Sequence, residues 1–103
     1  MRILLDNCTP RPLKTFLTGH EVKTAMEMGW AALLNGELLN VAEREFDLLI
    51  TCDRNLRYQQ NLVQRTIRLL ILTNGRWPAI KPLGPQIEMI VNNMPERGYV
   101  EFP

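Results

Sequence analysis

The chain contains 103 residues, of which 46% are hydrophobic and 22% charged, and its 12 basic and 11 acidic side chains give a net charge of +1. This composition predicts a single folded domain over residues 1–103 and excludes a disordered chain. The near-neutral charge excludes a broadly basic surface, so nucleic acid would have to bind at a local patch. No apolar stretch approaches the ~20 residues that span a bilayer, and the first residues lack a signal-peptide pattern. We therefore expect a cytoplasmic protein with no membrane contact.

Short apolar runs alternate with helical patterns along the chain, which predicts parallel strands joined by crossover connections. The predicted strands are, in chain order, residues 2–6, 21–25, 48–51, 66–73 and 99–102, the last of them at an edge of the sheet. The predicted helical segments are residues 10–19, a turn at 26–28, a helix capped by Asn35 or Gly36 that ends at Phe46, and residues 82–94. This order predicts an α/β three-layer sandwich with a mainly parallel sheet of four or five strands and helices on both faces.

Two of the predicted strands run into an aspartate, Asp6 after the first and Asp53 after the third. Ligands of open α/β sheets bind where the carboxyl ends of the strands meet, so we expect both carboxylates in one crevice. Glu37 begins a helix whose irregular lead-in, residues 29–36, leaves it free to reach the same edge. Clustered carboxylates repel each other unless a cation offsets their charge, and hard oxygen ligands favour Mg²⁺ or Mn²⁺. Because such an ion polarises phosphoryl oxygens and activates water, the pattern predicts phosphodiester hydrolysis.

Each of these acids also has a simpler structural interpretation. Asp6 and Asp53 can begin loops and accept hydrogen bonds from nearby backbone N–H groups, as aspartate often does. Glu37 can simply interact with the positive end of the helix dipole.

The segment directly after Asp53 is polar and partly basic. Arginine and amide side chains can hold phosphates, and an interleaved tyrosine, Tyr58, can stack on an unpaired base. The predicted substrate contacts in this segment are Arg54, Arg57, Gln59 and Gln60. The alternative is a solvated helix face.

Cys8 and Cys52 flank the two acids. Two cysteines in a chain without an export pattern are expected to be reduced. We interpret both as small buried apolar side chains rather than metal ligands.

Four segments, taken in order and with their spacing, resemble the small PIN-like domains of bacteria and archaea. They are MRILLD at residues 1–6, GHEV at 19–22, GELL at 36–39 and LITCDRNL at 49–56. The resemblance implies a metal-dependent ribonuclease, of the kind that often serves as the toxin of a toxin–antitoxin pair, with an acidic pocket at the carboxyl edge of a parallel sheet. It implies Asp6, Glu37 and Asp53 as ligands of Mg²⁺ or Mn²⁺, with Asn55 assisting catalysis, and RNA and an antitoxin protein as partners.

Asn7 and Asn55 stand where acids are common in such domains, and each missing carboxylate lowers cation affinity. The alternative function is therefore a catalytically weak or inactive PIN-like module that binds RNA or protein. A second alternative is a receiver-like phosphoacceptor domain. Asp6, Asp53, Thr73 and Lys81 follow the order of functional residues in such domains, although a receiver would have a second acid in place of Asn7.

The predicted strand at residues 99–102 bears on assembly. Apolar and polar residues alternate along it as in an edge strand, and edge strands must be covered or blunted. Trp30 and Trp77 add large apolar groups of a type enriched at interfaces. We expect a homodimer; the alternative is that both tryptophans close the ends of the small core.

Overall fold

The computed structural model of the chain describes residues 1–58 and 62–103, and this part of the chain forms an α/β domain. Its strands are β1 (Arg2–Leu5), β2 (Glu21–Thr24), β3 (Leu48–Thr51), β4 (Arg68–Leu72) and β5 (Tyr99–Phe102). Its α-helices are α1 (Asn35–Ala42), α2 (Trp77–Ile80) and α3 (Gly84–Asn92). Short 3-10 segments occupy Arg11–Phe16, Arg54–Tyr58, Leu62–Gln64 and Lys81–Leu83. None of the described helices is long and apolar enough to cross a membrane.

The five strands form one all-parallel sheet in the order β2-β1-β3-β4-β5. In the centre of the sheet, Leu49 of β3 lies between Leu4 of β1 and Leu69 of β4. The chain passes from β1 to β2 on one side and then returns to place β3 on the other side of β1. Doubly wound sheets of this order bind ligands at such a reversal, here the carboxyl ends of β1 and β3.

Both faces of the sheet are covered, which is why the inner strands are continuous apolar runs rather than alternating ones. On one face, Ile3 and Ile50 pack in a cluster that includes the segment Arg11–Phe16, α2 and α3. On the other face, Leu4 and Leu49 pack with α1 and the segment that follows β3. The predicted three-layer arrangement with a parallel sheet is confirmed.

Several predicted helices are shorter than their sequence patterns indicate. The first is a six-residue 3-10 segment, Arg11–Phe16, instead of a helix over residues 10–19. Helix α1 ends at Ala42 rather than Phe46, and Leu34 rather than Asn35 or Gly36 occupies its N-cap. The last predicted helix begins at Gly84 rather than at Pro82. Pro82 and Pro85 each stand in the first turn of a separate helical segment, Lys81–Leu83 and α3, so the chain begins a new segment at each proline instead of continuing one helix.

Both tryptophans are half-buried and lie against other aromatic rings. The Trp30 ring meets Phe46 edge-on at 6.0 Å between centroids, and the Trp77 ring lies 6.2 Å from Phe16. These contacts assign the tryptophans to the two apolar clusters on opposite faces of the sheet. The alternative interpretation of Trp30 and Trp77, that they close the core, therefore accounts for their positions.

Gly84 begins α3 at a point where only a glycine fits beneath Phe16. A Cβ atom at Gly84 would lie 2.5 Å from two atoms of the Phe16 ring. We expect Gly84→Ala to displace this ring from Trp77 and to lower the free energy of unfolding by about 1–3 kcal/mol, as measured by urea denaturation. Adding Phe16→Leu should recover part of the loss, and a double variant no more stable than Gly84→Ala would contradict this explanation.

Candidate functional site

Asp6 and Asp53 lie at the same edge of the sheet, immediately beyond the carboxyl ends of β1 and β3. These strands are direct neighbours, with Leu5 opposite Ile50. The backbone N–H of Asp6 extends the pairing by donating to the carbonyl of Ile50 at 3.1 Å. Both aspartates are half-buried, so their carboxylates are held by the fold and still reach solvent. The structure therefore brings these two predicted residues together at the switch point of the sheet.

Thr51 connects the two acids. It is the last residue of β3, it is completely buried, and its hydroxyl donates to Oδ2 of Asp6 at 2.6 Å. The same hydroxyl oxygen accepts the backbone N–H of Asp53 at 3.0 Å. Because one hydroxyl satisfies a carboxylate and an N–H at once, it fixes Asp6 relative to the loop that carries Asp53.

The Oδ1 atoms of both aspartates accept hydrogen bonds from nearby backbone N–H groups, as the structural interpretation of these acids predicts. Oδ1 of Asp6 accepts the backbone N–H of Cys8 at 3.0 Å, and Oδ1 of Asp53 accepts that of Asn55 at 2.9 Å. These hydrogen bonds do not occupy every acceptor position of the two carboxylates, since an ionised carboxylate offers about four. The hydrogen bonds orient both carboxylates and leave acceptor capacity at each.

Helix α1 begins at this edge, and its first residue contacts the site. The Asn35 side chain donates to Oδ2 of Asp53 at 2.8 Å. Glu37 follows two positions later; it is exposed, and its side chain makes no hydrogen bond or ion pair with the described residues. Residues two apart point to different sides of a helix, so the contact made by Asn35 does not bring Glu37 to Asp53. The role of Glu37 as a metal ligand stays a prediction.

Within residues 1–58 and 62–103, no three His, Cys, Asp or Glu side chains converge to hold a metal ion. The available hard donors are the carboxylates of Asp6 and Asp53. Mg²⁺ is usually bound through one or two carboxylates together with waters and substrate phosphates, so this donor pair fits an ion that a phosphate substrate helps to hold. It does not fit a complete protein cage.

A small cavity of about 50 Å³ lies beside Asp6, on the side toward β2. Its lining also includes Thr24 and the exposed Arg11, whose guanidinium donates to the sulfur of Met26 at 3.3 Å. A carboxylate and a guanidinium thus share one opening. The volume admits a few water molecules and is too small to enclose a nucleotide.

The basic segment after Asp53 is a 3-10 turn, Arg54–Tyr58, and its arginines differ in their contacts. Arg54 is exposed and donates to the carbonyl of Thr73 at 3.2 Å, which keeps it at the carboxyl edge. Arg57 is engaged by Glu101 of β5, with Nη1 at 3.1 and 3.0 Å from the two carboxylate oxygens.

Tyr58 is 70% exposed and lies against Arg57, with the guanidinium carbon 4.7 Å from the ring centroid. Hydrogen bonds to Tyr58 and Glu101 raise the pKa of Arg57. Of the predicted substrate contacts, Arg54 is therefore the arginine at this edge without a carboxylate partner in the described structure. Gln59 and Gln60 lie outside the described residues.

Neither cysteine is fully buried, which corrects the expectation from the sequence that both are. Cys8 is exposed, because it lies in the turn after Asp6, and Cys52 is half-buried. The backbone N–H of Cys52 donates to the sulfur of Cys8 at 3.1 Å. A hydrogen bond from the Cys52 thiol lowers the pKa of Cys8 to about 7, and this bond together with burial raises the pKa of Cys52.

Thr51 and Asn35 are the site residues that the sequence did not single out. Thr51 could have been identified from the sequence. It is a polar residue at the end of a buried apolar run, and a buried hydroxyl needs a hydrogen-bond partner within the protein. Asn35 resembled an ordinary helix cap, and only the tertiary structure shows that it contacts Asp53.

The carboxyl edge therefore presents two oriented carboxylates, a buried hydroxyl between them, an amide on Asp53 and a nearby arginine. No protein-family model matches the chain, and comparisons with curated proteins and with solved structures find no similar protein either.

Proposed function

We propose that the protein is a Mg²⁺- or Mn²⁺-dependent endoribonuclease of the PIN-like type, which hydrolyses phosphodiester bonds in RNA. The observation that carries the proposal is the pair of Asp6 and Asp53, held at the switch point of a parallel sheet and joined through Thr51. Two fixed carboxylates at this edge are the hard donors that such ions use. The order of motifs along residues 1–75 supports the PIN-like assignment.

In this proposal Asp6 and Asp53 hold the ion. When bound, the ion would polarise a phosphoryl oxygen and lower the pKa of an attacking water. Thr51 and Asn35 orient the two carboxylates, because each donates to an Oδ2 atom and leaves further acceptor positions on that carboxylate. Glu37, exposed in the first turn of α1, is available to position a water or to complete the ligand set.

Arg54 is the residue that we propose to bind the RNA backbone. The chain has a net charge of only +1, so affinity for a polyanion must depend on local contacts. Arg54 already lies at the carboxyl edge, where its contact with the carbonyl of Thr73 leaves donors of its guanidinium for a phosphate. Arg57 would have to exchange Glu101 for the phosphate, which makes it a weaker candidate.

A second candidate function is a PIN-like module that binds RNA or protein without cleaving it. It is favoured by the missing third ligand, since no group of three metal-binding side chains forms in the described structure. Asn7 is also committed elsewhere, because its side-chain amide donates to the carbonyl of Ala31 at 2.7 Å.

Metal dependence separates the two functions. A labelled single-stranded RNA is incubated with the protein in Mg²⁺ or Mn²⁺ and, in parallel, with a chelator. The nuclease proposal predicts discrete cleavage products with the ion and none with the chelator. Binding that is equal in both conditions, without cleavage, would favour the binding module.

The receiver alternative is favoured by the sheet order and by the positions of Asp53 and Thr73 beyond β3 and β4. Lys81, however, is exposed in a helical turn far along the chain from the last strand, β5. A small phosphodonor such as acetyl phosphate would label Asp53 if this alternative held. We expect no acid-labile phosphate on the protein.

Asn35→Ala tests whether the orientation of Asp53 matters for the proposed reaction. Loss of an outer hydrogen-bond partner of a metal ligand costs about 10–100-fold in metal affinity or activity, and we expect a loss near the lower limit because Asp53 keeps its bond from Asn55. Asn40→Ala is the matched control on the same helix, since Asn40 contacts Arg65 instead of the site. Manganese-dependent cleavage rates measure both, and equal rates for the two variants would contradict a role for Asn35.

For partners, the resemblance leads us to propose an antitoxin protein that restrains the nuclease, and the exposed outer edge of β5 leads us to propose a homodimer. Tyr99 on this strand is 44% exposed, and β5 pairs on one side with β4. Light scattering at micromolar concentration should give twice the chain mass of 11.9 kDa. A mass equal to that of one chain would contradict the dimer.

A further inference from the structure

Cys8 and Cys52 place two free thiols side by side at the carboxyl edge. They follow the neighbouring strands β1 and β3, and Cys8 is the exposed member of the pair. The Cys8 sulfur accepts the backbone N–H of Cys52 at 3.1 Å, which places it directly beside the second cysteine. The more exposed cysteine, Cys8, is therefore held against the backbone of the less exposed one, Cys52.

The position of the second thiol is restricted by its surroundings. The Cys52 sulfur lies 3.9 Å from the hydroxyl of Thr9. A Cβ atom at Gly75 would lie 3.2 Å from that sulfur and 3.1 Å from the Cys8 carbonyl, so the backbone at Gly75 packs closely against both cysteines. These contacts keep the Cys52 thiol beside Cys8.

We propose that Cys8 and Cys52 form an oxidative modification site at which a peroxide produces an intramolecular disulfide. An accessible cysteine with a second cysteine next to it is the arrangement in which oxidation to a sulfenic acid leads on to a disulfide. The reaction does not depend on the proposed nuclease function. It uses the two thiols and a peroxide alone.

The reaction balances in two steps. The Cys8 thiolate attacks one peroxide oxygen, the O–O bond breaks, hydroxide leaves, and Cys8 becomes a sulfenic acid. The Cys52 sulfur then attacks the Cys8 sulfur, the S–O bond breaks, and water leaves as the disulfide forms. The two thiol protons end in the two waters to which the peroxide is reduced, and the two sulfurs together lose two electrons.

The disulfide would also alter the neighbouring acid. The Cys8 thiol lies 3.4 Å from Oδ1 of Asp6 and donates to it. Oxidation removes that proton and ties the turn after β1 to the loop after β3. The modification therefore acts on the orientation of Asp6.

The test follows the thiols themselves. Hydrogen peroxide is added to the protein with a chelator present, remaining thiols are alkylated after denaturation, and the products are identified by mass spectrometry. We expect both thiols to disappear together, with the loss of two hydrogen atoms, a cross-linked peptide containing Cys8 and Cys52, and full reversal by dithiothreitol. A disulfide only between chains, or Cys8 oxidised to sulfinic acid while Cys52 remains free, would overturn the proposal, as would no reaction at either residue.

Single variants assign the two roles. Cys52→Ser should stop at a sulfenic acid on Cys8 that dimedone traps. Cys8→Ser should leave Cys52 available for alkylation at the same peroxide dose, because Cys52 is shielded. Oxidation of Cys52 in Cys8→Ser at the wild-type rate would show that Cys8 is not the attacking thiol and would overturn the assignment.

Discussion

Replacing Asp53 by asparagine is expected to reduce metal-dependent RNA cleavage by about a thousandfold, because several kcal/mol of transition-state stabilisation depend on the ion. The substitution removes a negative charge and changes little else. Oδ1 of the new side chain can still accept the N–H of Asn55, and the Asn35 amide can rotate to accept from the new amide group. Cleavage rates measured at saturating Mn²⁺, together with urea denaturation, separate this loss of activity from unfolding.

Asp47→Asn is the matched control for this experiment. Asp47 directly precedes β3, so it lies at the opposite edge of the sheet, where its Oδ2 accepts the backbone N–H of Arg2 at 2.9 Å. An asparagine can keep that bond. Substitutions at surface residues away from buried or functional groups usually have small effects, so the cleavage rate should stay within about twofold of wild type. Equal activity in Asp53→Asn and Asp47→Asn would contradict the assignment of Asp53 to the metal.

Replacing Thr51 by valine is expected to reduce both stability and activity. Valine has nearly the same shape but lacks the hydroxyl, so the N–H of Asp53 and Oδ2 of Asp6 lose their shared partner. An unsatisfied buried donor costs about 1–3 kcal/mol of unfolding free energy, and a misplaced metal ligand costs about 10–100-fold in activity. Urea denaturation and manganese-dependent cleavage measure the two effects, and Thr51→Ser should restore most of both.

Thr9→Val distinguishes orientation of the acids from simple destabilisation. Thr9 is buried at the same edge, and its hydroxyl donates to the carbonyl of Ile50 at 2.9 Å without contacting either carboxylate. We expect a comparable loss of stability and nearly full cleavage activity at a temperature where the variant is folded. If Thr9→Val lost as much activity as Thr51→Val, the hydroxyl of Thr51 would have no specific role in positioning Asp6.

The sheet could be predicted from the sequence because its signals are local. Strand β3 is an uninterrupted apolar run, and β5 alternates as an edge strand does; both occupy the predicted residues, 48–51 and 99–102. The helices were harder, because their ends depend on competing prolines and on tertiary contacts. The apolar pattern continues to Phe46, for example, while α1 ends at Ala42, where turns follow with hydrogen bonds from Glu45 and Phe46 back to Ala42.

The candidate site was predictable where it depends on strand ends and unpredictable where it depends on distant pairs. Asp6 and Asp53 meet because parallel strands end at one edge, a consequence of topology alone. The pairing of Arg57 with Glu101 requires β5 to lie beside β4, and the contact of Asn35 with Asp53 depends on where the irregular segment before α1 leads. Such contacts between residues far apart in the chain leave no trace in spacing.

Manganese titration of the ¹⁵N-labelled protein, followed by two-dimensional NMR, tests most directly whether Asp6 and Asp53 form a divalent-cation site. Paramagnetic broadening detects an ion even when binding is weak, as expected for two carboxylates without a substrate phosphate. We predict selective broadening of the amide signals of Asn7, Thr51 and Asp53, little change at Asp47, and loss of the effect in Asp53→Asn. Broadening centred elsewhere, or unchanged in Asp53→Asn, would contradict the assignment of the metal site.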